Sequence, residues 1–159
     1  MEYFHKGNNH YIEEDYNDAE ASYSEAITEY EKSLKLNNNN INQLNNETLS
    51  RLYLHRGTTY LKIKKYYEAL EDLDACIRLD PSIEIAYYRK GITYFELEEY
   101  ESAKDYFTRG LQLRQSQHKN SRDTSAYTRY IRKCDVEIKG EIKQMLLFYV
   151  FYLWVEVSL

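Results

Sequence analysis

Apolar and small residues recur at matched positions in two consecutive stretches of the chain. Within 53–60 and again within 66–76 they lie three or four residues apart, as on one face of an α-helix, and the same order of positions begins again at Tyr87. The matched pairs are Tyr53 with Tyr87, Gly57 with Gly91, Tyr60 with Tyr94, Tyr66 with Tyr100, Ala69 with Ala103, Leu73 with Phe107 and Cys76 with Gly110. The offset is the same in every pair, since 87 − 53 and 91 − 57 both equal 34. The pattern therefore indicates an internal repeat of helices.

A period of about 34 residues is typical of the tetratricopeptide repeat (TPR), a pair of antiparallel helices. We predict an all-α fold, with three TPR helix pairs in a right-handed solenoid and a C-terminal capping helix. Gly57 and Gly91 are expected to meet the small Ala69 and Ala103 where two helices cross closely. Because proline cannot continue a helix, the unit ends before residue 81, and Ser82 is the expected N-cap of the next helix.

Weaker copies and interruptions of the pattern divide the rest of the chain. The offset between the first and second units is 57 − 7 = 50, which exceeds the period by 50 − 34 = 16, so an insert must lie between them. The predicted segments are TPR repeat 1 at 1–36, an asparagine-rich loop insert at 37–48, TPR repeat 2 at 49–82, TPR repeat 3 at 83–117, a loop and capping helix at 118–143, and an apolar tail at 144–159. Helix pairs are expected at 3–31, 49–79 and 83–113, with Asn46 or Thr48 capping the helix after the insert.

The tail departs from the repeat pattern. Met145–Val155 reads MLLFYVFYLWV, a run of uncharged apolar residues. At ~1.5 Å per residue such a helix covers about 16 Å of a hydrocarbon core roughly 30 Å thick, so it is too short to span a bilayer. Three interpretations stay open: a strand-like or helical segment packed on the solenoid, a membrane-associating tail, or an artefact of an alternative transcript end.

Composition and motifs argue against several classes of function. A net charge of −5 gives no basic footprint for nucleic acid. The chain has no metal-binding or phosphate-binding motif and no nucleophile elbow, so we expect no enzyme, no cofactor and no metal site, and the acidic run at 13–15 is interpreted as a solvated turn. Cys76 and Cys134 are expected to be buried free thiols. Without a secretory signal a cytoplasmic location is expected, with a nuclear one in addition as the alternative.

Function is therefore expected in the groove lined by the first helices of the repeats. The residues whose repeat positions predict that they line it are Phe4, Asn8, Tyr11, Ile12, Arg51, Leu54, His55, Thr58, Lys62, Ile85, Tyr88, Arg89, Ile92 and Glu96. The predicted partner-binding set among these is Asn8, Arg51, His55, Thr58, Lys62, Tyr88, Arg89, Ile92 and Glu96. Arg51, His55, Lys62, Tyr88 and Arg89 are expected to form a basic strip that steers a partner with an acidic face.

In chaperone-binding TPR proteins such a groove carries a carboxylate clamp, in which lysines, asparagines and an arginine hold the C-terminal carboxylates of a heat-shock chaperone. The matching positions here are Phe4, Asn8, His55, Ile85 and Arg89, of which only Asn8 and Arg89 agree with the clamp. Because both lysines are replaced, we expect little affinity for a peptide ending in Glu-Glu-Val-Asp. Heat-shock protein 90 is thus expected as a partner only indirectly or weakly.

A closer resemblance rests on AYYRKGITYFELEEYESAKDYFTRGLQL at 86–113 and YIRKCDVEI at 130–138. These runs resemble the third repeat and capping helix of the Sgt-one co-chaperone family, without its CS and SGS regions. The resemblance implies a co-chaperone adaptor whose groove links the chaperone machinery to ubiquitin ligase, through Skp-one, or to kinetochore assembly. The alternatives are a membrane-associated TPR protein anchored by Met145–Val155 and a generic TPR co-chaperone.

Overall fold

The computed structural model describes residues 2–36, 43–117 and 123–158. Within these ranges the secondary structure is entirely α-helical, so the predicted all-α fold is confirmed. The helices are α1 (Glu2–Ile12), α2 (Tyr16–Leu36), α3 (Gln43–Lys62), α4 (Tyr66–Leu79), α5 (Glu84–Glu96), α6 (Tyr100–Gln117) and α7 (Ser125–Ser158). Each helix packs mainly against the helices before and after it, which is the neighbour-to-neighbour stacking of a TPR solenoid.

Glycines in the first helices make room for large side chains of the second helices. A Cβ built on Gly91 would lie 2.7 Å from Cδ1 of Phe107, and one built on Gly7 would lie 2.7 Å from Cδ1 of Tyr23. At Gly57 the nearest atoms belong to Asp72, at 3.1 Å, and to Leu73, at 3.2 Å. The glycines therefore serve mainly to admit these large side chains, whereas the sequence predicted that they would meet alanine.

The turn inside each repeat has the same backbone conformation. Glu14, Lys64 and Glu98 all have positive φ, at 64°, 60° and 62°. In the first turn the Asp15 N–H donates to the His10 carbonyl at 2.9 Å and the Glu14 N–H donates to the Tyr11 carbonyl at 3.2 Å. These are the two hydrogen bonds of the Schellman motif, which satisfies the last carbonyls of a helix. The equivalent bonds recur in the other two repeats, so the three units turn in one way.

Two predicted helix starts are wrong. Helix α3 begins at Gln43, so the predicted loop insert at 37–48 is helical from residue 43 onward, and neither Asn46 nor Thr48 caps it; residues 37–42 lie outside the described ranges. Tertiary pairing overrides the low helix propensity of asparagine here, because the Tyr30 hydroxyl of α2 donates to Asn45 Oδ1 at 3.2 Å. Similarly, Ile83 is the N-cap of α5, since the Ser82 hydroxyl donates instead to the Asp80 carboxylate.

Two ion pairs join helices of the second and third repeats: Arg56–Asp72 links α3 to α4, and Lys90–Asp74 links α5 to α4. The Arg56 guanidinium donates two hydrogen bonds of 2.7 Å to the buried carboxylate of Asp72. Lys90, only 2% exposed, donates to Asp74 at 2.5 Å and to the hydroxyl of Tyr106 at 2.9 Å. Burial alone would lower the pKa of Lys90, but these hydrogen bonds outweigh it and leave the pKa raised, so the buried amine stays protonated.

Helix α7 caps the solenoid with its first half only. Tyr127 and Cys134 are buried against α6 and the aromatic side chains around Phe107, and both cysteines are buried free thiols as predicted. From Met145 to Tyr152 the helix continues away from the repeats with every side chain exposed. Residues 145–158 are therefore helical, but the exposed segment Met145–Tyr152 does not pack on the solenoid, contrary to the first of the three interpretations. None of the helices in the described ranges is long and apolar enough to cross a membrane.

Candidate functional site

A concavity of about 430 Å³ opens between the first helices of the three repeats. Its lining residues come from α1, α2, α3 and α5: Asn8, Tyr11, Ile12, Tyr23, Leu54, His55, Thr58, Ile85 and Arg89. All of them except Tyr23 belong to the set that the repeat positions placed in the groove. The solenoid therefore brings polar and apolar side chains from all three repeats together around one opening.

Tyr23 holds the side-chain amide of Asn8 in one orientation. Its hydroxyl donates to Asn8 Oδ1 at 2.7 Å, so the carbonyl end of the amide is occupied and its NH₂ group remains as a donor. Burial raises the pKa of Tyr23 to about 12, which keeps the hydroxyl protonated and donating. Sequence reasoning missed Tyr23 because it occupies the core position of Leu73 and Phe107; the signal was a hydroxyl-bearing ring at that position.

His55 contributes a neutral imidazole to the concavity. Its ring lies 5.1 Å from that of Phe4, edge to face, and 5.6 Å from that of Tyr23. Burial and then the positive charge of Arg51 lower the pKa of His55 below its usual value of 6.5. At neutral pH the imidazole is therefore uncharged, and an anion placed beside it would favour its protonation.

Arg89 supplies the fixed positive charge of the concavity. It is half-buried on α5, and none of the ion pairs found among the described residues uses its guanidinium. Its charge also acts on Tyr11 across the opening: burial raises the pKa of that phenol, and Arg89 opposes the increase. The guanidinium offers a planar pair of donors, which suits a carboxylate.

The remaining residues of the predicted partner-binding set lie elsewhere. Arg51 is exposed and paired with Glu47 at 2.6 Å, and the Lys62 ammonium lies 5.9 Å from the ring centroid of Tyr16. Tyr88 packs against the rings of Phe107, Tyr127 and Tyr130, next to Ile92, and Glu96 accepts a bond of 3.5 Å from the Tyr66 hydroxyl. Of the five residues in the predicted basic strip, the concavity therefore unites only His55 and Arg89.

A second group of possible ligand atoms lies in the turn of the first repeat. One ligand atom from each of His10, Glu13 and Asp15 falls within 4.8 Å of the others. The left-handed conformation of Glu14 brings these side chains together, and both carboxylates are exposed to solvent. The geometry of the turn accounts for the cluster without an ion.

Comparisons with known proteins identify the repeats. Residues 50–83 and 85–117 match tetratricopeptide repeat families. The chain is 34% identical over 94 residues to the SGT1 homolog of Oryza sativa subsp. japonica, and the matched region covers 59% of this chain and 24% of that protein. It is 35% identical over 92 residues to Hsp70-Hsp90 organizing protein 3 of Arabidopsis thaliana, covering 58% of this chain and 15% of that protein. The chain therefore spans a quarter or less of these relatives.

Solved TPR structures share the fold. The TPR2B domain of yeast Sti1, described in complex with an Hsp70 peptide, superposes with a TM-score of 0.70 at 20% identity, over 86% of this chain and 95% of that one. The second TPR domain of Spaghetti (RPAP3), bound to the HSP90 peptide SRMEEVD, superposes with a TM-score of 0.57 at 28% identity, over 70% of this chain and 89% of that one.

These complexes correct one prediction. The sequence led us to expect contact with heat-shock protein 90 only indirectly or weakly, and this is wrong, because similar TPR domains bind Hsp70 and Hsp90 peptides directly. The resemblance to the Sgt-one family, in contrast, is confirmed. The chain carries a tetratricopeptide-repeat domain that resembles those of the SGT1 homolog and the Hsp70-Hsp90 organizing proteins.

Proposed function

We propose that this chain is a co-chaperone module whose concavity directly binds the acidic C-terminal peptide of a heat-shock chaperone of the Hsp70 or Hsp90 class. The observation that carries the proposal is that Asn8, His55 and Arg89 line one opening. Together with Ile85 they make four lining residues that occupy carboxylate-clamp positions. The likeness to TPR domains seen with peptides ending in Glu-Glu-Val-Asp supports it.

The three polar side chains differ in what they offer a carboxylate. Arg89 provides charge-assisted donors, Asn8 provides an NH₂ group aligned by Tyr23, and His55 can take up a proton when an anion binds beside it. A charge-assisted hydrogen bond contributes about 1.5–3 kcal/mol. Two or three such contacts account for much of a micromolar affinity, which corresponds to about 8 kcal/mol.

Apolar residues of the concavity supply the rest. Ile12, Leu54 and Ile85 line the same opening, and Ile85 occupies a position where the clamp has lysine. Burying an aliphatic side chain of the peptide there would contribute about 1.5–3 kcal/mol. Relative to a lysine-rich clamp, this groove should depend less on charge and more on the apolar residue next to the terminal carboxylate.

The experiment is a fluorescence-anisotropy titration of the labelled peptide SRMEEVD at physiological salt. We expect a dissociation constant in the micromolar range, and a loss of about 10- to 100-fold for Arg89→Ala, because one charge-assisted contact disappears. The matched control is Arg109→Ala on α6, which also removes one arginine but from an exposed pair with Asp105; it should bind like the parent chain. Equal binding by both variants, or by a peptide with an amidated C-terminus, would contradict the proposal.

A second candidate partner follows from the similarity to the rice SGT1 homolog. We propose that a Skp-one-like subunit of a ubiquitin ligase, or a kinetochore assembly factor, docks on the same repeats through an acidic surface. A pull-down of purified Skp-one with the chain, repeated in excess SRMEEVD peptide, tests this. Retention that the peptide abolishes would place both partners in the concavity, and absence of retention would remove this candidate.

A further inference from the structure

The outer face of α7 carries five basic side chains, here called the basic stripe, with the exposed Val136 among them. Its members are exposed, and they are Arg129, Arg132, Lys133, Lys139 and Lys143. At roughly 100° of rotation per residue they fall within about 120° of arc. The centre of that arc lies opposite Tyr127, Cys134 and Ile138, which face the repeats. The stripe therefore points away from the solenoid.

Acidic side chains do not neutralise the basic stripe. Asp135, Glu137 and Glu141 lie on the same helix but outside the arc, and Asp135 is already paired with Lys104 at 2.5 Å. None of the ion pairs found among the described residues involves a member of the stripe. Lys133 and Arg129 instead lie over the ring of Tyr130, 5.2 and 5.7 Å from its centroid. A chain of net charge −5 thus concentrates unpaired positive charge on one helix face.

The same helix continues directly into the apolar segment, Met145–Tyr152. Its eight consecutive residues are 53–73% exposed, so apolar side chains surround the whole circumference of the helix. A second helix, from another copy or another protein, would cover a stripe of roughly 100° and leave most of this surface in water. A hydrocarbon environment would cover all of it. The amphipathic side chains of Tyr149 and Tyr152 within the segment suit the boundary between lipid headgroups and acyl chains.

We propose that α7 docks this protein on an anionic lipid bilayer. The basic stripe contacts negatively charged headgroups, and the apolar segment enters one leaflet next to it. A cluster of basic residues joined to an apolar helix is the pattern that anionic lipids attract. At ~1.5 Å per residue the segment covers about 12 Å, less than half of a hydrocarbon core, so attachment is peripheral. This role is independent of peptide binding in the concavity.

Flotation of the full chain with lipid vesicles tests the proposal. We expect binding to phosphatidylcholine vesicles containing about 30% phosphatidylserine, weaker binding to pure phosphatidylcholine, and loss of binding as salt rises. Each basic residue at the surface strengthens binding about fivefold, so the triple variant Arg132→Gln, Lys139→Gln, Lys143→Gln should bind on the order of a hundredfold less tightly. The double variant Leu147→Ser, Phe148→Ser should lose binding to both kinds of vesicle.

The matched control removes the same number of exposed cations from α1 and α2, as Lys6→Gln, Lys32→Gln, Lys35→Gln. It should bind vesicles like the parent chain, and circular dichroism should show that all variants keep their helices. Equal vesicle binding by the stripe variant and this control would overturn the proposal. A parent chain that binds neither kind of vesicle would also overturn the proposal. Sedimentation would then show whether the chain dimerises through the apolar segment, and a titration with polyglutamate or RNA would show whether the basic stripe binds an acidic polymer instead.

Discussion

Replacing Gly91 by alanine should destabilise the solenoid, although alanine is the better helix former. The added methyl carbon would lie 2.7 Å from both Cδ1 and Cε1 of the Phe107 ring, closer than real Cβ contacts allow. Phe107 is fully buried and packs against Tyr88 and Tyr130, with ring centroids 5.6 and 4.9 Å away. A shift of the ring away from the added methyl group would therefore disturb its packing against these two neighbours.

Two opposing effects set the magnitude. Overpacking a well-packed core costs about 1–3 kcal/mol, and glycine to alanine within a helix gains about 1 kcal/mol. Gly91→Ala should therefore lower the free energy of unfolding by up to about 2 kcal/mol. The bulkier Gly91→Leu has the same contact to relieve with a longer side chain, so it should be the more destabilising of the two.

Urea denaturation followed by circular dichroism measures the effect, and Gly140→Ala is the matched control. A Cβ built on Gly140 meets nothing within 4 Å, so this variant gains helix propensity without any clash. Its free energy of unfolding should be unchanged or raised by up to about 1 kcal/mol. The packing argument fails if Gly91→Ala is as stable as Gly140→Ala.

Two further predictions concern titratable groups. Burial and Arg51 lower the pKa of His55 in the free chain, so peptide affinity should rise as pH falls from about 7.5 toward 5.5, where the complex takes up a proton. In an anisotropy titration, His55→Gln should flatten this dependence of affinity on pH. A flat profile in the parent chain would show that peptide binding is not coupled to protonation of His55. Since folding also favours the neutral imidazole, the same group should reduce stability as pH drops below its unfolded pKa of about 6.5. For the Lys90–Asp74 ion pair, Asp74→Ala should cost about 3 kcal/mol, because the buried Lys90 ammonium keeps only the Tyr106 hydroxyl as a partner. Lys90→Met leaves a half-exposed carboxylate that water can solvate, and it should cost about 1–2 kcal/mol. Equal costs in urea denaturation would contradict this asymmetry.

The repeat architecture was predictable because its close crossings require small residues at fixed intervals. Gly57 and Gly91 occupy the same position one repeat period apart, and each lies against the side chain at the matched position of the second helix, Leu73 or Phe107. The concavity was predictable for the same reason, since repeat position determines which side chains of a first helix face the groove. Repeat position does not show whether such a side chain is free to contact a partner. Arg51 is engaged in an ion pair with Glu47 and Tyr88 packs into the core, and neither contact could be read from the repeat pattern.

The start of α3 shows the other limit of sequence reasoning. Asparagines disfavour helix interiors, so local propensity placed a loop where residues 43–48 are helical. The long α2 supplies a surface on which that first turn packs, with Tyr30 bonding Asn45. Contacts between segments that are distant in sequence decided the conformation, as they also decided that Tyr23 would align Asn8.

The Schellman turns and the mid-helix glycines together determine how cooperatively this array folds. Glu14, Lys64 and Glu98 adopt a left-handed conformation that costs a non-glycine residue about 1–2 kcal/mol, while Gly7, Gly57 and Gly91 occupy helix interiors where glycine costs about 1 kcal/mol. Each repeat thus contains two locally unfavourable features, the left-handed turn residue and the helix-interior glycine, and only packing between helices offsets their cost. A single repeat removed from its neighbours would keep both penalties and lose much of the packing. The three repeats should consequently melt in one transition, not one after another.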